Sequence, residues 1–359
     1  MIGRCLVHPT FTCSTMLDPV EVNTPMVRWE WHKYLFGLKG PSGFGSGTTA
    51  QDIATVFADD VKDKVVMITG ANTGLGKEMA LAMAKNGATV IMACRSEEKM
   101  QSAITEIAMK LPSSRIFGLK MDLESLESVR TAVQEFRRLL LPLHILINNA
   151  GIMLVPWGTT KDSFERHIGV NHMGHFLLTN LLIEDLNKQP GGKVVNLASI
   201  AYAATYSEGI KLDKLKIKND GEVDGEYNKL KAYGQSKLAN LLHAKELNRR
   251  LIENDMPTRA YSCHPGVIHT NLFKETGLMG WLFMNLFSPI LKNTAQGAAT
   301  AMFCALSPKA EPGRFHCDCN PYYLLTQQSM DLDLAKQLWE KSAELTGSDI
   351  GPEMKSSKS

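Results

Sequence analysis

Residues 64–76 read KVVMITGANTGLG, a β-branched apolar run that ends in Gly70 and is followed at once by glycines at 74 and 76. An unbroken apolar run of this length suits a strand buried on both faces of a parallel sheet. Gly70, Gly74 and Gly76 stand where the chain must turn out of the sheet, pass close to a pyrophosphate and start a helix whose N-terminal amides face that phosphate. Asn72, Thr73 and Leu75 fill the positions between them, giving a TGxxxGxG spacing distinct from GxGxxG. Taken alone, three glycines after a strand also fit a plain βα turn.

The pattern continues outward from this turn. KEMALAMAKNGA (77–88) has apolar residues at helical spacing and stops at Asn86-Gly87, a good C-cap. Strand-like runs recur at TVIMACR (89–95), RIFGLKMDL (115–123), HILINNAG (144–151), KVVNLAS (193–199) and RAYSCHPG (259–266). Helical stretches separate them at about 96–110, 126–140 and 161–187, and around KAYGQSKLAN (231–240). This alternation predicts an α/β protein with a doubly wound parallel sheet, a Rossmann fold, in a single domain over residues 61–347.

Residues 1–60 read as an N-terminal arm and linker, and 348–359 as a polar tail. The aromatic and basic stretch VRWEWHKYLFGLKG (27–40) has two readings, packing against the main domain or lying on a membrane surface. The Gly/Ser/Thr-rich GPSGFGSGTTA (40–50) reads as linker.

At 359 residues, 44% apolar and 21% charged, the chain suits a globular protein with a substantial core. A net charge of +2 gives no reason to expect a nucleic-acid partner. Seven scattered cysteines do not make a disulfide framework and favour a reducing, intracellular compartment. Cys317 and Cys319 lack a second ligand pair at zinc spacing, so no metal is expected. No apolar run reaches the roughly 18–20 residues of a membrane span, and the N-terminus lacks the features of a signal peptide. Cytoplasm and an organelle membrane surface both stay open as locations.

Ligands of open α/β sheets bind beyond the carboxyl ends of the strands, so the polar residues there carry the functional signal. The second strand ends in Arg95, a guanidinium where a free ribose hydroxyl would call for a carboxylate. That suits a 2′-phosphate and favours NADP(H) over NAD(H), with Lys99 one turn on as added charge; a plain surface arginine is the alternative. Asp122 and Leu123 close the third strand, where an adenine edge would rest. Asn149, Ala150 and Gly151 close the fourth and Ser199 the fifth, while GVNHMGHF (169–176) puts Asn171 in the helix between them. Tyr233 and Lys237 lie four residues apart, on one side of a helix.

TGANTGLG, NNAG, Asn171, Ser199, YxxxK and the HPG at 264–266 follow one another in the order found in the short-chain dehydrogenase/reductase family, which the chain resembles over about residues 62–346. ACRS after the second strand, the long insert before YGQSKLAN and LAKQLWEKSAEL (334–345) are similar to its retinol-dehydrogenase-like branch. The segment ahead of the domain resembles that of chloroplast translocon-associated members, and its TTA that of the WW-domain oxidoreductase. The resemblance implies a hydride-transferring enzyme with Asn171, Ser199, Tyr233 and Lys237 as catalytic residues.

Tyr233 would give or take the proton, helped by Lys237 and the oxidised nicotinamide, whose positive charges lower a phenol pKa of about 10. Ser199 would donate a hydrogen bond to the substrate oxygen. Asn171 would hold a relay water, while Lys237 grips the nicotinamide ribose and Pro265, Gly266 and Thr270 meet the nicotinamide. One departure is the 34-residue gap from Ser199 to Tyr233, which contains a charged insert at 207–229.

The apolar segment GLMGWLFMNLFSPIL (277–291) lies where the family covers its substrate. It suggests a small apolar carbonyl or alcohol of retinoid, steroid or lipid-aldehyde type, and it leaves peripheral membrane contact open. A homo-oligomer is implied by resemblance only. The alternative function is an NADP(H)-binding redox sensor or scaffold that works through partners.

Overall fold

A computed structural model describes residues 37–217, 227–268, 291–323 and 325–350. Thr270, most of the apolar segment 277–291, part of the insert, most of the arm and nearly all of the C-terminal tail lie outside these residues.

Eight strands form one sheet among the described residues. The expected runs become β1 (Val65–Thr69), β2 (Thr89–Cys94), β3 (Arg115–Lys120), β4 (Ile145–Asn148), β5 (Lys193–Leu197) and β6 (Arg259–His264). Their order is β3-β2-β1-β4-β5-β6, all parallel. The order reverses between β1 and β4, and the crevice of such a sheet opens at that point. Two short strands extend the sheet beyond expectation: β7 (Phe315–Cys317), parallel to β6, and β8 (Asn320–Pro321), antiparallel to β7. At two or three residues they are too short to leave a periodic signal in the sequence.

Helices cover both faces. On one side lie α1 (Ala50–Val56), α2 (Ala58–Val61), α3 (Gly74–Lys85), α4 (Glu97–Lys110) and, later in the chain, α9 (Thr294–Leu306). On the other lie α5 (Leu126–Arg138), α7 (Gly174–Asn187), α8 (Lys229–Glu253) and α10 (Leu332–Thr346). The helix expected over 161–187 is interrupted: a short α6 (Arg166–Ile168) runs into a π-turn, Gly169–Met173, before α7 begins. Close packing surrounds this turn. A Cβ on Gly169 would stand 2.4 Å from Thr160 Cγ2, and one on Gly174 would stand 2.9 Å from Leu123 Cδ2. Single π-turns inside helices are frequent at functional sites, and this one carries Asn171.

Part of the segment read as linker is packed. Thr49 and Asp52 form a capping box for α1, whose Ile53 and Ala54 are fully buried in the core with α9. Phe44 packs against Phe57 and Phe303 at ring-centroid separations of 6.2 and 6.1 Å. No helix among the described residues is long and apolar enough to cross a membrane.

Candidate active site

A cleft of about 1350 Å³ lies beyond the carboxyl ends of the strands. Gly70, Asn72, Thr73, Gly74 and Leu75 line it. Gly70 and Gly74 have φ of +65° and +54°, a region that costs other residues energy. Gly76 does not line the cleft but sits beneath the turn: a Cβ there would be 2.6 Å from the Gly70 carbonyl oxygen and 2.7 Å from Asn149 Nδ2. The Thr73 side chain makes no capping bond to α3, so the first amides of a 12-residue helix are left to a ligand. A turn with glycines at both positive-φ positions and an uncapped helix start fits a pyrophosphate, and with it a dinucleotide cofactor.

Thr69 secures the cradle to β4. Its Oγ1 accepts from the amides of Asn149 and Ala150, both at 2.9 Å, and Asn149 Nδ2 donates to the Thr69 carbonyl at 2.7 Å. With both acceptor positions used, the Thr69 hydroxyl hydrogen is left to donate to His175 Nε2 at 2.8 Å. That fixes the His175 tautomer, so Nδ1–H donates to the Asn171 carbonyl at 3.0 Å. Burial pulls the His175 pKa down to about 4, which keeps the ring neutral for this bridge. Asn149, Ala150 and Gly151 line the cleft next to the cradle.

Arg95, Asp122 and Leu123 line the cleft on the β2 and β3 side, together with Ser96, Lys99 and Glu124. Asp122 Oδ1 accepts from the Glu124 amide at 3.1 Å, shaping the turn after β3. The Arg95 side chain, 63% exposed, is paired with Glu124 through an Nη1–Oε1 contact of 3.1 Å.

Ser199, Tyr233, Lys237, Pro265 and Gly266 line the same cleft. Ser199 N-caps a 3₁₀ turn, Ile200–Ala204, and hydrogen-bonds the Tyr233 side chain. Lys237 Nζ donates to the Leu197 carbonyl at 3.0 Å and lies 5.7 Å from the centroid of the Tyr233 ring. Burial acts on both groups. It pushes the Tyr233 phenol up to about 12, with the Ser199 bond acting the other way, and it pulls Lys237 down to about 8. The expected lowering combined Lys237 with the oxidised nicotinamide; among the chain's own groups, desolvation of the phenolate dominates and raises the pKa instead.

Asn171 is fully buried and stands behind the cleft wall rather than in it. Its Oδ1 accepts from the Ile152 amide at 2.8 Å, and its Nδ2 donates to the Ile152 carbonyl at 3.0 Å and to Ser236 Oγ at 2.9 Å. The side chain thus pins the loop after β4 to the helix that carries Tyr233 and Lys237.

Thr69, Glu124, His175, Ser236 and His264 take part in the site without having been given a role in the sequence, although Thr69 and His264 stand inside the TGANTGLG and HPG motifs. His264 lines the cleft, is 8% exposed and has an Nδ1 with no hydrogen-bond partner among the described residues. Ser236 and His175 were legible by position: one lies between Tyr233 and Lys237, the other one helical turn after Asn171.

Comparison with known proteins agrees with this geometry. A short chain dehydrogenase family model matches residues 64–210. The chain is 41% identical over 320 residues to the short-chain dehydrogenase TIC 32 B, chloroplastic, of Brassica napus, covering 87% of this chain and 97% of that one. It is 42% identical over 286 residues to retinol dehydrogenase 12 of Bos taurus, covering 79% and 86%. A crystal structure of an uncharacterized protein from Mycobacterium Paratuberculosis superposes with a TM-score of 0.65 at 34% identity, over 82% of this chain and 98% of that one. With near full-length relatives, the expected doubly wound parallel sheet and a glycine turn in one cleft with a buried tyrosine and lysine, the chain belongs to the short-chain dehydrogenase/reductase family, oxidoreductases that bind NAD(H) or NADP(H).

Proposed function

We propose that the protein transfers a hydride between NADP(H) and an apolar alcohol or carbonyl compound of retinoid, steroid or lipid-aldehyde type. The observation that carries this reading is one cleft lined both by the Gly70–Leu75 turn and by Ser199, Tyr233 and Lys237. The choice of NADP(H) is supported by two cations, Arg95 and Lys99, on the cleft wall next to Asp122. The apolar substrate is supported by Met153, Leu154, Ile200 and Leu230 on that wall and by the retinol dehydrogenases among the relatives.

The nicotinamide, when bound, supplies or accepts the hydride. Tyr233 handles the proton. With its phenol held near 12 it is protonated at neutral pH, which suits carbonyl reduction, where it gives its proton to the substrate oxygen. Ser199 donates to the same oxygen and stabilises the charge that grows on it. Lys237, one helical turn from Tyr233, keeps a positive potential beneath the phenol and favours the phenolate left behind. Asn171 holds the loop and the helix in register.

The test is NADPH consumption against a panel of all-trans-retinal, ketosteroids and long-chain aldehydes. Turnover of at least one panel member, with Arg95→Asp losing the preference for NADPH over NADH, is the expected result. Tight NADPH binding with no turnover on the panel would sink the enzyme reading and leave a cofactor-sensing protein.

A further inference from the structure

Arg95, the cation offered to a 2′-phosphate, already has a counter-ion. Glu124 Oε1 accepts from Arg95 Nη1 at 3.1 Å and from Arg166 Nη2 at 2.8 Å, so one carboxylate oxygen is shared by two guanidinium groups. The three partners are unequally fixed. Glu124 has its amide bonded to Asp122 Oδ1 at 3.1 Å, its carbonyl bonded to the Lys161 amide at 2.9 Å and its side chain only 19% exposed. The Arg166 side chain is 30% exposed and makes the shorter bond, whereas the Arg95 side chain is 63% exposed. Arg95 is the partner that can leave. It lines the same cleft as Ser96, Lys99 and Glu124.

We propose that Glu124 sets the strength of the preference for a 2′-phosphorylated adenosine, by competing with that phosphate for the Arg95 guanidinium while Arg166 keeps Glu124 neutralised. This rests on the NADP(H) reading above. The physical reasons are two. A phosphate offers a guanidinium several oxygens and a paired geometry, whereas Glu124 offers one oxygen that is already shared. A carboxylate on the cleft wall beside Arg95 also repels a phosphate directly, and it does so most when its own charge is least neutralised. Glu124 therefore lowers the affinity for the 2′-phosphate, and Arg166 limits that penalty.

The two side chains then have opposite effects. Removing the Glu124 charge frees Arg95 and tightens binding of the 2′-phosphate. Removing the Arg166 charge leaves Glu124 wholly to Arg95 and weakens it. A purely structural role for the cluster would move every ligand in one direction.

Calorimetric titration of the full chain with 2′,5′-ADP and with 5′-AMP isolates the 2′-phosphate and needs no turnover. Glu124→Gln is expected to bind 2′,5′-ADP on the order of fivefold more tightly than wild type, the scale of one partly exposed charge pair, with 5′-AMP unchanged. Glu124→Ala should shift the same way, and Arg166→Gln should weaken 2′,5′-ADP by a similar factor. Wild type with no preference for 2′,5′-ADP over 5′-AMP removes the NADP(H) reading and this proposal with it. Wild type with that preference, but Glu124→Gln and Glu124→Ala equal to it or weaker for 2′,5′-ADP, overturns the role of Glu124 alone. Tighter binding of 2′,5′-ADP by Arg166→Gln overturns the role of Arg166.

Discussion

Ser236 Oγ accepts from Asn171 Nδ2 at 2.9 Å and donates to the Tyr233 carbonyl at 2.7 Å. This small hydroxyl, buried between Tyr233 and Lys237 on α8, joins the π-turn to the helix that carries Tyr233. Ser236→Ala leaves the Asn171 amide with the Ile152 carbonyl as its remaining acceptor, and a buried donor that loses a partner costs about 1–3 kcal/mol. Urea unfolding should show that loss, with kcat falling more than KM rises. An unchanged midpoint and unchanged kinetics would show that the link positions nothing.

Lys237 is held at the expense of stability. Burial pulls its pKa from 10.5 down to about 8, so at pH 7 the fold carries a charge whose burial costs about 3 kcal/mol. The penalty is full below pH 8 and is relieved as pH rises from there to 10.5, because the unfolded chain stays protonated while the folded one does not. Lys237→Met should abolish turnover yet raise stability at pH 7, since Asn240 Nδ2 still donates to the Leu197 carbonyl at 3.0 Å. The gain should shrink by pH 10. A variant less stable than wild type at pH 7 would contradict this.

Gly76→Ala tests the cradle. The new methyl would meet backbone, the Gly70 carbonyl oxygen at 2.6 Å, which cannot swing aside as a long side chain can. Overpacking of this kind costs about 1–3 kcal/mol. Calorimetry should show weaker binding of both NADPH and NADH, because the shared phosphate turn is displaced. Undiminished binding would mean that the turn is not the phosphate site.

Acid should destabilise the fold through its buried imidazoles. Burial pulls His172 and His264 down to about 3 and His175 and His316 down to about 4, so each is neutral in the fold. Stability from these groups is complete above pH 6.5 and is lost as pH falls toward about 4 for His175 and His316 and about 3 for His172 and His264, because the unfolded chain takes up protons that the fold refuses. By pH 5 each should cost about 2 kcal/mol. Urea unfolding at pH 7.5 and pH 5 measures the difference; a flat profile would contradict the neutral-imidazole assignment.

Much of this was legible in the sequence for a physical reason. Strands buried on both faces, such as β1 and β2, are continuous apolar runs, and a cradle that only glycine can form leaves glycines at 70, 74 and 76. The i, i+4 placement of Tyr233 and Lys237 survives folding because both lie on one regular helix. What could not be read depends on side chains that meet only in space. Glu124 and Arg166 are 42 residues apart, and Thr69 and His175 are 106 apart. Their pairing leaves no periodicity. The π-turn escaped because it preserves the apolar pattern of an ordinary helix while changing its hydrogen bonding. The burial that raises the Tyr233 pKa was not legible, because spacing reports a nearby charge and says nothing of burial.

If Tyr233 gives the proton, Tyr233→Phe should slow the chemical step under single-turnover conditions. Phenylalanine keeps the ring that packs edge-on against His167 at 6.1 Å and removes only the hydroxyl. NADPH oxidation by the best aldehyde or ketone of the panel, followed by stopped-flow with the cofactor pre-bound, should slow by about 10²- to 10⁴-fold. NADPH affinity, measured separately by calorimetry, should stay within about twofold of wild type. A Tyr233→Phe rate equal to that of wild type, with the cofactor equally bound, would contradict the account.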